Sequence, residues 1–329
     1  MRKISLPKTA WAYIALAVVV FTWSFTPILS NMKVVKDNYS PGMIIALHSL
    51  FATLTLLVIN IKNLKKIGKE YFKVAVPSGI ILALAMLSQM VGYRYGVDPG
   101  AAAVLENLAL IVIPIVLYIC VKEKPTWTKI LAAVLCFIGS AFIALAGSEG
   151  NLFSVSLGKW LACIAGILYG INFVITGVYA KKLNSSAFIL IQVAIQMVVA
   201  FVYALVFERI FLASENVFAY SLAWKPLLVM VVLGVFATGI CWTLRAYCLK
   251  WIPVMVVSII MPLSTVLTGV WSVIGGMESA TWELQVGTVI VIVAILIAET
   301  GDKRKKKYSK EELAEPLNEQ ETALIDEEE

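Results

Sequence analysis

The chain of 329 residues is 60% hydrophobic and only 15% charged, with a mean hydropathy of +0.88. That apolar excess is more than one soluble core can hold, which excludes an ordinary globular domain and points to a polytopic membrane protein. Residues 1–300 carry 21 basic and 11 acidic groups, a balance of +10, and the other 10 acidic residues follow Gly301, so the overall +6 conceals a basic body and an acidic tail.

Ten stretches approach the roughly 20 apolar residues that a helix needs to cross the hydrocarbon layer. They lie near residues 10–31, 41–61, 72–94, 99–121, 127–147, 157–180, 186–210, 225–249, 253–275 and 281–300. The first follows basic residues and is itself followed by many others, so it reads as a span rather than a cleaved signal. Near its middle lies Trp23, too deep for the interfacial belt, followed by Thr26 and by Pro27, which predicts a kink. Span two holds His48, the only histidine. Span three brings Gln89 and Tyr93 to one face near its outer end, where they can line a mouth, with Arg94 and Asp98 as interfacial charges.

Span four holds Glu106, the single deep carboxylate of this reading, seven residues in and flanked by Ala102, Ala103 and Ala109. An ionisable group at that depth costs about 3 kcal/mol and is by default functional. His48 is expected at nearly the same depth, where the two can pair; a lone satisfied histidine is the competing reading. Span six presents Tyr169, Asn172, Thr176 and Tyr179 at helical spacing, and span seven carries Gln192 and Gln196 at i,i+4. Two such polar faces line a cavity or bond helices together. Arg245, near the end of span eight, reads as an orientation charge or a cytoplasmic gate. The stripe Ser258, Pro262, Thr265, Gly269 and Ser272 of span nine suits close packing.

The five cysteines all lie in apolar runs without CxxC spacing and are expected to be buried free thiols. With no metal spacing and no phosphate loop, no cofactor is expected and ATP-driven transport by this chain alone is excluded at the motif level. An even span count puts both termini on one side. The positive-inside sum then assigns 21 of the 27 basic residues to that side, which predicts cytoplasmic termini.

Glu123-Lys-Pro-Thr126-Trp127 recurs as Glu278-Ser-Ala-Thr281-Trp282, and Leu168-Tyr169-Gly170 takes the place in span six that Thr22-Trp23-Ser24 takes in span one. The chain therefore reads as two five-span halves. Because five is odd, the second copy enters the membrane inverted. Its expected organisation is an N-terminus at 1–9, a first repeat at 10–147, a linker at 148–156, a second repeat at 157–300, and a disordered tail at 301–329, basic and then acidic.

With Thr22-Trp23-Ser24, Pro262, the Lys122-Glu123-Lys124-Pro125 and Gly276-Met277-Glu278 junctions and Gly287 opening span ten, residues 10–300 resemble the ten-span EamA-like members of the drug/metabolite transporter superfamily. In span two that family often carries an Arg where this chain has His48. The resemblance implies a carrier or exporter of metabolites such as amino acids, nucleosides or cationic drugs, with its path between the repeats. The full expectation is an all-α protein of two inverted five-helix repeats in the plasma membrane, acting by alternating access as a monomer or homodimer, with a small solute and lipid as partners and no nucleic acid. Glu106 then binds a proton or a cationic group and His48 adjusts it; Trp23, Tyr93, Gln89, Tyr169, Asn172, Gln192 and Gln196 contact the solute, and Arg245 gates. A channel or signalling protein is the rival. A membrane enzyme lacks the clustered groups it would need.

Overall fold

The computed structural model describes residues 7–30, 32–95, 105–122, 124–146, 156–211, 224–275 and 281–298. Helices α1 (Lys8–Ser30), the short α2 (Lys33–Lys36), α3 (Pro41–Asn60) and α4 (Lys69–Arg94) are followed by α5 (Ala109–Val121), α6 (Trp127–Ala146) and α7 (Leu157–Ala180). Then come α8 (Ser185–Val202), α9 (Trp224–Val232), α10 (Cys241–Trp251), α11 (Val254–Ile260), α12 (Leu263–Ile274) and α13 (Trp282–Ala298). A π-helical stretch, Tyr203–Phe211, prolongs α8, and another, Leu233–Ile240, joins α9 to α10. No strand occurs among the described residues.

In their described residues the ten apolar stretches fall on helix. Seven helices have the length and composition to span, and those at Ala109–Val121, Trp127–Phe142 and Trp282–Ala298 are shorter. Span four opens outside the described residues and its helix is interrupted by a turn at Asn107 and Leu108. Span nine is interrupted in the same way at Met261 and Pro262, the point where proline cannot supply an amide hydrogen. Pro27, by contrast, lies inside a continuous α1. The tail beyond Gly301, Glu123, Asp98 and the Glu278 junction lie outside the described residues.

Local chemistry sets several ends. Ser40 caps α3, its Oγ accepting from the Met43 amide at 3.3 Å, with Pro41 in the first turn. Asn184 caps α8 by accepting from the amides of Ser186 and Ala187. Lys122 closes α5 in the left-handed region, φ 57°.

Packing places α4 against α7 and α8, α3 against α8 and the second π-helical stretch, α1 against α10 and α12, and α5 against α7. The principal apolar core joins Leu16, Leu56, Leu82, Phe188, Leu249 and Val257. A smaller one joins Ala133, Ile259, Val266 and Val291 at the α6, α12 and α13 side. Glycines permit the closest approaches: a Cβ at Gly79 would meet the Gln192 carbonyl at 2.7 Å, and one at Gly269 of the span-nine stripe the Leu284 side chain at 2.6 Å. The outer surface is apolar, with Val58, Ile119, Ile210 and Val289 exposed, while Asn172, Gln192 and Gln196 are fully buried. This distribution reverses that of a soluble protein and fits a lipid surround.

Candidate functional site

Glu106 sits just before the turn that interrupts span four, and α7 holds it there. A Cβ on Gly166 would meet the Leu105 carbonyl at 2.5 Å and the Glu106 backbone at 2.9 Å, so only glycine lets the two backbones approach this closely. The seat is therefore glycine on the facing helix; Ala102 and Ala103, expected to provide it, lie outside the described residues. Gln89 Nε2 donates to Glu106 Oε2 at 2.7 Å and approaches the Tyr93 hydroxyl at 3.4 Å, while Gln89 Oε1 accepts from the Tyr169 hydroxyl at 2.7 Å. One amide thus links α4, α7 and the carboxyl. Glu106 Oε1 is buried without a hydrogen-bond partner.

His48 does not join this group. It is buried on α3, its Nε2 has no hydrogen-bond partner, and its carbonyl lies where a Cβ on Gly234 would meet it at 2.5 Å. The helix on which it sits packs against α8 and the second π-helical stretch.

The amides of spans six and seven converge on serines that sequence reasoning passed over. Asn172 Nδ2 donates to Ser78 O and Oγ at 3.1 Å, and Gln192 Nε2 to the same Oγ at 2.6 Å. Gln196 Nε2 bonds Ser49 Oγ at 2.8 Å and lies 2.9 Å from Met86 Sδ. Oδ1 of Asn172, Oε1 of Gln192 and of Gln196 and Oγ1 of Thr176 remain without partners. The Tyr179 ring lies 5.5 Å from Lys182 Nζ. The available signal was the run Pro77-Ser78-Gly79, small and polar inside an apolar span.

Arg245 differs most from its expectation. Instead of an interfacial charge it is a buried residue, 4% exposed, with its guanidinium carbon 4.0 Å from the Trp242 ring centroid, 4.9 Å from Phe173 and 5.7 Å from Trp23. Ring faces spread its charge but offer no lone pairs to its N–H groups. Trp23 is fixed by its indole N–H, which donates to the Ala237 carbonyl at 2.8 Å, and by a tilted contact with Trp242 at 5.6 Å. The neighbouring Ser24 accepts from the Trp271 indole at 2.9 Å, and its carbonyl accepts from Thr268 at 2.7 Å. Thr22-Trp23-Ser24 therefore ties span one to spans eight and nine.

A cavity of about 120 Å³ opens where α1, α2, α3 and α4 meet, lined in part by Lys36, Tyr39, Met90, Tyr93 and Arg94. Tyr93 belongs both to this cavity and to the Glu106 group. Burial raises the Tyr39 phenol above its ordinary range, so it stays a neutral donor across physiological pH.

Glu106 is not the single buried carboxylate: Glu208, 3% exposed on the first π-helical stretch, accepts from Ser40 Oγ and, at 3.0 Å, from the Gly42 amide. It completes the cap of α3 from 168 residues away, at the end of the helix dipole that favours an anion. The acid inside Leu-Val-Phe-Glu208-Arg-Ile-Phe was its sequence signal. Among the cysteines, Cys136, Cys241 and Cys248 are buried, whereas Cys120 is exposed on the apolar outer face and Cys163 is intermediate.

Apolar helices around buried amides, a carboxyl and a guanidinium define a multi-pass membrane protein with a polar interior. A family model of the EamA-like transporter family matches residues 10–145 and again 156–300. The chain belongs to the EamA-like transporter family, whose model matches it twice. It is a membrane transporter of the drug/metabolite type. No curated protein matches it. A solved structure titled only as the crystal structure of a protein shares the fold, with a TM-score of 0.72 and 13% identity over 89% of this chain and 99% of that one.

Proposed function

We propose that the protein is a ten-span carrier that moves a small organic metabolite across the plasma membrane by alternating access, with export as its direction and both termini cytoplasmic. The observation that carries this reading is the buried polar interior itself. Glu106 Oε1 and Arg245 Nε and Nη2 are buried without a hydrogen-bond partner. Groups so costly to bury are retained where a solute or proton completes them. Glu106, Gln89, Tyr93 and Tyr169 form one wall, Asn172, Gln192 and Gln196 the amide layer behind it, and Trp23 the opposite wall. His48 lies aside as a helix-packing residue.

The inverted arrangement of repeats 10–147 and 157–300 is supported by reciprocal packing. Spans one and six pack on spans eight and three, and spans two and seven on spans eight and three together with each other. The interruptions at Asn107 and Met261 fall in spans four and nine, the same place in each half. Such symmetry lets one half rock against the other around a fixed site.

Counterflow in proteoliposomes with a panel of labelled amino acids, nucleosides and cationic drugs tests the reading. Saturable, trans-stimulated uptake of one class is expected; non-saturable flux would make the protein a channel. Proton coupling through Glu106 predicts that Glu106→Gln abolishes the response to an imposed pH gradient while counterflow at equal pH persists.

A further inference from the structure

Among the described residues, no carboxylate pairs with Arg245. No carboxylate of those residues lies within ion-pair distance, Nε and Nη2 have no hydrogen-bond partner, and the surrounding contacts are ring faces. The two unpartnered atoms are not scattered. They share one edge of the planar guanidinium, the edge that presents two parallel N–H bonds to a pair of oxygens. Glu106 is not their partner: Nε and Nη2 bond to nothing, and the Glu106 Oε2 is taken by Gln89. A buried charge left unpaired is among the least favourable arrangements in a protein interior, so its retention calls for an anion that comes and goes.

The geometry points to a carboxylate-binding subsite at Arg245, in which the carried solute accepts two hydrogen bonds from Nε and Nη2 while Trp23, Trp242 and Phe173 keep water from the pair. This rests on the carrier reading and gives it a substrate class, solutes bearing a carboxylate. Arg245 is then a binding residue rather than an orientation charge or a gate.

The test uses the purified full chain and three probes with one phenylethyl body: L-phenylalanine, 3-phenylpropionate and phenethylamine. Intrinsic fluorescence, to which Trp23 and Trp242 contribute, and the melting temperature are the readouts. Both carboxylates quench saturably and raise the melting temperature, with phenethylamine weaker by about tenfold or more. Arg245→Lys keeps the charge but loses the fork and weakens both carboxylates by about tenfold. Arg245→Met abolishes their binding, yet raises the melting temperature of the unliganded protein by about 2–4 °C, because an uncompensated buried charge is gone. An arginine serving only to hold helices together gives the opposite sign.

Phenethylamine binding as tightly as the acids, no saturable binding of either acid, carboxylate binding that survives Arg245→Met, or a lower melting temperature in that variant would each overturn the subsite. Counterflow on the same preparation separates this from the carrier reading: carriage of panel members without a carboxylate, with no response to the acids, leaves the carrier standing and removes the subsite. Saturable acid binding without any counterflow does the reverse.

Discussion

Tyr169 on α7 meets Gln89 of α4 and Trp23 on α1 meets Arg245 of α10, but the ionisable groups they attend are held by opposite means. The Glu106 carboxyl is gripped by hydrogen bonds, through a Gln89 amide that Tyr169 also uses. The Arg245 guanidinium is surrounded by rings and gripped by none. A hydrogen-bonded charge is positioned and neutralised in part by its neighbours, whereas a ring-wrapped one is merely kept dry.

The comparison breaks most severely where backbones touch. Gly166→Val forces α7 off the Leu105 and Glu106 carbonyls and should cost about 3 kcal/mol, read as a large fall in melting temperature with loss of counterflow. Gln89→Leu comes next. It strands the Tyr169 hydroxyl and removes the Gln89 hydrogen bond to Glu106, for about 2–3 kcal/mol, and leaves the rings around Arg245 in place, so carboxylate quenching of tryptophan should persist. If the Gln89 variant is as stable as the parent, the amide does not hold the Glu106 side.

Trp242→Leu removes the ring nearest the guanidinium and should cost about 2 kcal/mol. In an Arg245→Met background the same change should cost measurably less, because the cation that the ring attends is gone. Equal losses in the two backgrounds would show that the indole acts by packing alone.

The sequence made the helices, the duplication and most polar interior residues legible, because long apolar runs and isolated polar residues within them are local signals. Glu106, Gln89, Tyr93 and Tyr169 could each be named, but their junction could not, since Tyr169 lies 80 residues from Gln89. Arg245 was read by its distance from a loop, whereas Trp23 and Phe173, which bury it, come from two other helices. His48 and Glu106 were matched by depth, a coordinate that says nothing about which helices adjoin. Residue order fixes depth along an axis; packing fixes azimuth.

Glu208 and Glu106 provide the finest contrast, two buried carboxylates of which only one belongs to the proposed path. Glu208 is satisfied by Ser40 and by the Gly42 amide at the start of α3, the task of a capping acid, and it touches neither Gln89 nor Tyr169. Glu208→Gln keeps an acceptor for the amide but weakens the charge-assisted bonds, so a stability loss of about 1 kcal/mol is expected. Counterflow and its response to a pH gradient should stay at the parental level, whereas Glu106→Gln should change that response at little cost in stability. A Glu208 variant that loses the pH response, with Glu106→Gln retaining it, would exchange the roles of the two acids and move the proposed proton site to the junction of α3 with α8.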